Sequence, residues 1–257
     1  SHQFGWKILG AIFKKTGKLE ESLLASQRSV QLSPNDAEAH NNLGAVVKEM
    51  GKLTDAEACY RKAISLDNDH AAAHRNLGNA LYEQGKLHAA EGAFRSAVAL
   101  QPNISDNLYN LAVVLSDLNK TADAEVNFRE AIITDPSNAE AYNNLGNLFL
   151  KTNRVFEAKQ SYLSAIDLKP NFSEAHFNLG VAFKALGDMQ KAKECFSIAI
   201  SLQPDFAGAL LARSEVLFES GEFEQALSDA DACDSDGCRM AGLQALFALN
   251  RINDIIT

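Results

Sequence analysis

The sequence predicts an all-α fold, a right-handed superhelical solenoid of antiparallel helix pairs, on three observations. Blocks of 34 residues begin at residues 3, 37, 71, 105, 139 and 173 with no insertion or deletion. Each block holds two apolar-periodic runs of helix length separated by a glycine or asparagine, and five of the six close on a proline. A period of this size marks a supersecondary unit that buries its apolar face only by stacking on its neighbours. A shorter seventh block starts at 207, and a partial eighth or a set of C-terminal helices occupies 236–257.

The elements follow in order. In the first helix the seventh place is Leu9, Leu43, Leu77, Leu111, Leu145 and Leu179, followed by Gly10, Gly44, Gly78, Ala112, Gly146 and Gly180. The large residue fills the space between helices, and the tiny one lets the second helix approach the backbone of the first. The fifteenth place, Gly17, Gly51, Gly85, Asn119, Asn153, Gly187 and Gly221, holds the two residue types that accept the left-handed conformation ending a helix. The second helix carries a small residue at the twentieth place, an aromatic at the twenty-fourth (Tyr60, Phe94, Phe128, Tyr162, Phe196) and a small one again at the twenty-seventh. It stops before Pro34, Pro102, Pro136, Pro170 or Pro204, because proline cannot continue a helix, with Asn68 at that place as the one exception. The residue after, Asn35, Asp69, Asn103, Ser137, Asn171 or Asp205, is a turn former expected to cap the next helix.

Trp6, Leu9, Gly10, Phe13, Gly17 and Pro34, with His74, Leu77, Gly78, Leu81, Ala90, Phe94, Ala97 and Pro102, resemble the tetratricopeptide repeat over nearly the whole chain. That resemblance implies six regular repeats over 3–206 and a shortened seventh over 207–235. It also implies a scaffold that holds another polypeptide and performs no catalysis. Arg213 and Ser214, in place of Leu-Gly, depart from the pattern.

The formal net charge of −9 argues against a phosphate-tracking surface, so no nucleic-acid partner is expected. No apolar run approaches a membrane span, and no signal-peptide pattern opens the chain. Cys59 and Cys195 read as buried small apolar residues, and Cys233 and Cys238, which can pair only if the loop between them bends suitably, read as free thiols of a cytoplasmic, reducing compartment. No cofactor motif appears. His40, His74 and His176 read as packing residues, and the His70/His74 pair lacks a third metal ligand.

The sixth place carries the strongest functional signal: Asn42, Asn76, Asn110, Asn144 and Asn178. Asparagine is a mediocre helix former, and its carboxamide can pair with both groups of a peptide backbone. The alternative is a bond from each asparagine to the neighbouring helix. The ladder is similar to that of O-linked N-acetylglucosamine transferase repeats, which implies an extended peptide held in the concave groove, and the array as a whole resembles those of bacterial multidomain repeat proteins. Specificity would come from Arg75, Tyr109, Asn143 and Phe177 at the fifth place and Asn79, Asn147 and Val181 at the ninth. The pattern of Lys and Asn in a carboxylate clamp does not occur.

Two further readings accompany this one. The chain could be the substrate-recruiting arm of a larger glycosyltransferase, sulfotransferase or oxygenase. It could also self-associate, as a homodimer through its C-terminal end or its convex face. Leu243, Leu246, Phe247 and Leu249 on a last full helix, and Ile252, Ile255 and Ile256 on the start of another, are expected to need covering.

Overall fold

The computed structural model describes residues 2–233 and 235–256, with side chains over 3–233 and 235–250. Helices account for all its regular structure among the described residues. They fall into two compact units, Ser1–Pro136 and Ser137–Thr257. The first holds α1 (His2–Lys15), α2 (Leu19–Leu32), α3 (Ala37–Glu49), α4 (Leu53–Leu66), α5 (Ala71–Glu83), α6 (Leu87–Leu100), α7 (Ser105–Asp117) and α8 (Thr121–Thr134). The second holds α9 (Ala139–Lys151), α10 (Val155–Leu168), α11 (Ser173–Ala185), α12 (Met189–Leu202), α13 (Ala207–Glu219), α14 (Phe223–Asp231) and α15 (Asp236–Ile256). In each unit a helix packs on its pair partner and on the first helix of the next pair.

The turn inside each pair is set by one backbone conformation. All seven fifteenth-place residues have positive φ, from 59° at Asn119 to 80° at Gly187 and Gly221. In repeat two the Lys52 amide donates to the Val47 carbonyl and the Gly51 amide to Lys48, satisfying carbonyls that the helix end leaves open.

The turn between pairs corrects the capping expectation. The residues that flank the first helices are Asp36, His70, Ile104, Asn138, Phe172 and Phe206, each one place beyond the expected cap. Asp36 and Asn138 accept the amides of Ala39 and Ala141 at 3.1 and 2.9 Å. Proline and its successor form the turn itself, which leaves the third residue to enter the helix.

The core is a lock between an absent side chain and a ring. A Cβ built on Gly78 would stand 2.7 Å from the Phe94 ring, and on Gly146 or Gly180 it would stand 2.5 Å from Tyr162 or Phe196. Those aromatic side chains are fully buried, flanked along their own helices by buried alanines such as Ala90 and Ala97. Repeat seven is built differently: Ala230 replaces the ring, and Ser214 donates to the Ala226 carbonyl at 2.8 Å. The neighbouring Arg213 forms a bidentate pair with Asp229 at 2.7 and 2.6 Å and reaches Ser197 at 3.0 Å.

Surface ion pairs repeat with the same period. Lys14–Glu49, Lys48–Glu83 and Lys184–Glu215 join one first helix to the next. Lys86–Glu57, Lys120–Glu91 and Lys193–Glu222 join second helices across a repeat boundary. The ammonium of Lys86 holds the Glu57 carboxyl down to about 2, so this pair's contribution is full above the ordinary carboxylate pKa and fades as pH falls toward 2. Exposed pairs of this kind each contribute little.

The C-terminal end overturns two expectations. Cys233 and Cys238 form a disulfide with a Cα–Cα distance of 5.9 Å, because α14 stops after 9 residues and the chain doubles back at once into α15. They are not free thiols, and the sequence argument for a reducing compartment loses that support. Cys59 and Cys195 are free, with burial pushing the Cys195 thiol up to about 11. The expected break near residue 250 is also absent, since α15 runs unbroken for 21 residues. Met240, Leu243 and Phe247 on it are 60%, 61% and 65% exposed, while Ile252, Ile255 and Ile256 have side chains outside the described residues.

Two outcomes follow from this packing. Gly146→Val should lower urea-unfolding stability by about 1–3 kcal/mol through overpacking against Tyr162, whereas Gly146→Ala should be milder, as Ala112 already faces Phe128 in repeat four. Reducing the disulfide should lower stability at α15 by about 2 kcal/mol, the loop-closure entropy of so short a ring, read as faster amide exchange in α15 with α9 and α10 unchanged.

Candidate functional site

The face to consider is the exposed stripe of the first helices, where places five, six and nine lie together by helical periodicity. In the first unit Asn42, Asn76 and Asn110 are all half-buried, and in the second so are Asn144 and Asn178. Their surroundings differ with the fifth-place residue one repeat earlier. Asn76 donates through Nδ2 to Asn41 Oδ1 at 2.9 Å, and Asn178 does the same to Asn143 at 3.0 Å. Asn41 and Asn143 are each only 7% exposed, so both serve as buried acceptors that fix the next rung. The bond to a neighbouring helix is therefore present for these two.

A carboxamide fixed through its Nδ2 turns a defined edge outward and keeps acceptor capacity on Oδ1. Asn42 and Asn110 instead follow Lys7 and Arg75, which have no acceptor to offer, and they make no hydrogen bond to the protein among the described residues. The Asn41 and Asn143 clasp is the feature that sequence reasoning missed. Its one available signal was asparagine at place five immediately before a sixth-place asparagine in the next block.

The remaining residues at these places divide by whether they have partners among the described residues. Arg75 and Asn79 are half-buried and carry no ion pair or hydrogen bond among the described residues. Tyr109 packs its ring 6.1 Å from Phe128. Asn147 accepts the Tyr162 hydroxyl at 2.8 Å and donates toward Asn144 Oδ1 at 3.4 Å, so it ties the core ring to the ladder. Phe177 lies between Phe196 and Phe206 at 5.8 and 5.0 Å, and with Val181 it belongs to the cluster around Phe196. The apolar stretch of the stripe thus contributes chiefly to packing.

The histidines hold the turns between pairs. His40, His74 and His176 donate from Nε2 to the carbonyls of Pro34, Asn68 and Pro170 at 2.8–2.9 Å. His70 uses Nδ1 to accept the Ala73 amide at 3.3 Å, so it and His74 have separate structural partners. Among the described residues no group of three or more His, Cys, Asp or Glu is placed to hold a metal ion. No described helix is long and apolar enough to cross a membrane.

A cavity of about 640 Å³ in the second unit, bounded by α12, α13 and α14, holds Lys193, Arg213 and Asp229. Its cations are already matched by Glu222 and Asp229, which makes it a poor site for a charged ligand.

Comparison with known proteins agrees with the repeat architecture. The TPR repeat family matches residues 10–51, 48–85 and 146–187, and tetratricopeptide repeat families match 71–104, 127–160 and 173–206. Among solved structures, YrrB, described as a TPR protein with an unusual peptide-binding site, is 25% identical. It covers 74% of this chain and 97% of its own, with a TM-score of 0.61. PilF of Pseudomonas aeruginosa is 22% identical and covers 85% of this chain and 97% of its own, with a TM-score of 0.74. MamA is 22% identical and covers 63% of this chain and 95% of its own, with a TM-score of 0.59. The last two share the fold alone. No curated protein matches the sequence.

Proposed function

This chain belongs to the tetratricopeptide repeat family, whose stacked helix pairs form protein–protein interaction scaffolds, and we propose that it binds an extended peptide along the sixth-place asparagines of its repeats. The observation that carries the reading is Asn42 and Asn110, two half-buried carboxamides at one register with no hydrogen bond to the protein among the described residues. Uncommitted carboxamides spaced by the repeat suit the N–H and C=O groups of an extended backbone, which recur whatever the ligand's sequence. Asn76 and Asn178 contribute differently. With Nδ2 held by Asn41 and Asn143, each presents an acceptor of fixed direction to a ligand N–H, and less side-chain entropy is lost on binding. Arg75 and Asn79, both polar and without an ion pair or hydrogen bond among the described residues, would read the flanking side chains of the ligand. The similarity to YrrB, a protein with a peptide-binding site, supports a ligand of the same class.

The test separates gripping from folding. Replacing Asn42 and Asn110 together with Ala should weaken capture on an array of immobilised peptides of unrelated sequence by about 30-fold, the equivalent of two hydrogen bonds at roughly 1 kcal/mol each, with the melting temperature unchanged. Asn76→Ala should differ, losing about 1 kcal/mol of fold stability as well. Undiminished capture by the double variant would remove the ladder from the binding surface.

A further inference from the structure

Repeat one lacks the ring that locks the others. Its twenty-fourth place is Ser26, and its eighth is Gly10, so two small residues face each other where repeats two, three, five and six pair glycine with Tyr or Phe. The place such a ring would take can be read from repeat six. There Phe196 clusters with Val216, the tenth-place residue of the next repeat, with the sixth-place Ala212 packed at the edge. The equivalent residues beside Ser26 are Val46 and Asn42. A pocket of about 440 Å³ lies there, bounded by Gly10, Ser26, Asn42, Ala45 and Val46, with Lys14, Lys15 and Glu49 among its polar edge.

Two details give the pocket a chemistry. Ser26 is 4% exposed as a residue and lines the pocket, and its hydroxyl makes no hydrogen bond to the protein among the described residues, so it is available to a group that enters. Lys14 lies at the edge in an ion pair with Glu49 at 3.0 Å, and Lys15 stands beside it, so cations face whatever ring enters. The volume falls at the small end of ligand pockets, roughly 300–1,000 Å³. Asn42, a rung of the ladder, forms part of the wall.

We propose that this pocket receives an aromatic side chain of the bound peptide, a phenol by preference, so that the ligand supplies the ring that repeat one does not encode. The inference deepens the peptide-binding reading by naming an anchor residue, and it rests on that reading for the ligand being a peptide. Apolar walls from Ala45 and Val46 bury the ring, the Ser26 hydroxyl pairs with the phenol, and Asn42 takes the adjoining backbone. Buried aromatic anchors of this kind dominate interface energetics, which gives a sequence-tolerant ladder one point of selection.

The probe is p-cresol, titrated into the intact chain and followed by the NMR signals of the Ala45 and Val46 methyl groups. A saturable shift is expected in the wild type, weaker with toluene in place of p-cresol. Ser26→Phe should fill the pocket from inside, abolish the shift and raise the melting temperature. Ala45→Leu, which leaves the α1–α2 contact intact, should abolish the shift independently and so stands even where Ser26→Phe fails to fold. Because p-cresol carries no backbone, its binding should be indifferent to Asn110→Ala, a rung outside this pocket, which keeps the pocket's test separate from the ladder's. No saturable shift in the wild type, or an unchanged shift in Ala45→Leu, overturns the proposal.

Discussion

The structure depends on how closely two antiparallel helices approach at a residue without a side chain. A ring sixteen places later in the chain occupies the room that a Cβ would take at Gly44, Gly78, Gly146 or Gly180. That spacing works only if the turn between the helices is short and of fixed hand, which the left-handed residue at place fifteen provides. Small residues one turn before and after the ring are then required, because the ring lies across them. Interiors are close-packed, so each of these choices constrains the others, and a period of 34 residues is the result.

The first and seventh repeats show what happens when the ring is absent. In repeat seven Ala230 stands at the ring's place, the Ser214 hydroxyl donates to the Ala226 carbonyl, and Arg213 pairs with Asp229. In repeat one the Ser22 hydroxyl donates to the Gly10 carbonyl at 2.7 Å, which ties the helices but fills no volume. Both repeats replace part of an apolar contact with a hydrogen bond between helices. Repeat one leaves space beside Asn42 of the ladder.

Much of this architecture was legible in the residues, because glycine, proline and a periodic ring each leave a distinct mark. The left-handed turns at Asn119 and Asn153 could be read from type and register alone. Caps were displaced by one place, since Asn35 and Asp36 are equally good cap residues and only the path of the turn decides between them. The disulfide was not legible, as Cys233 and Cys238 pair only when the chain reverses abruptly between α14 and α15. The site was half legible. Register marked the asparagines, but two polar residues on adjacent helices do not announce that Asn41 holds Asn76, and the histidines that fix the turns look like packing residues until their carbonyl partners are seen.

The proposed peptide contact runs along one asparagine register, held in place by the ring-and-glycine lock beneath it. The most direct measurement is of the side-chain carboxamide NMR resonances of Asn42 and Asn110 during titration with several captured peptides of unrelated sequence. Both resonances should shift with every peptide, as a contact to backbone N–H and C=O groups requires. Shifts confined to residues of the second helices, or carboxamide shifts seen with one peptide and no other, would contradict it.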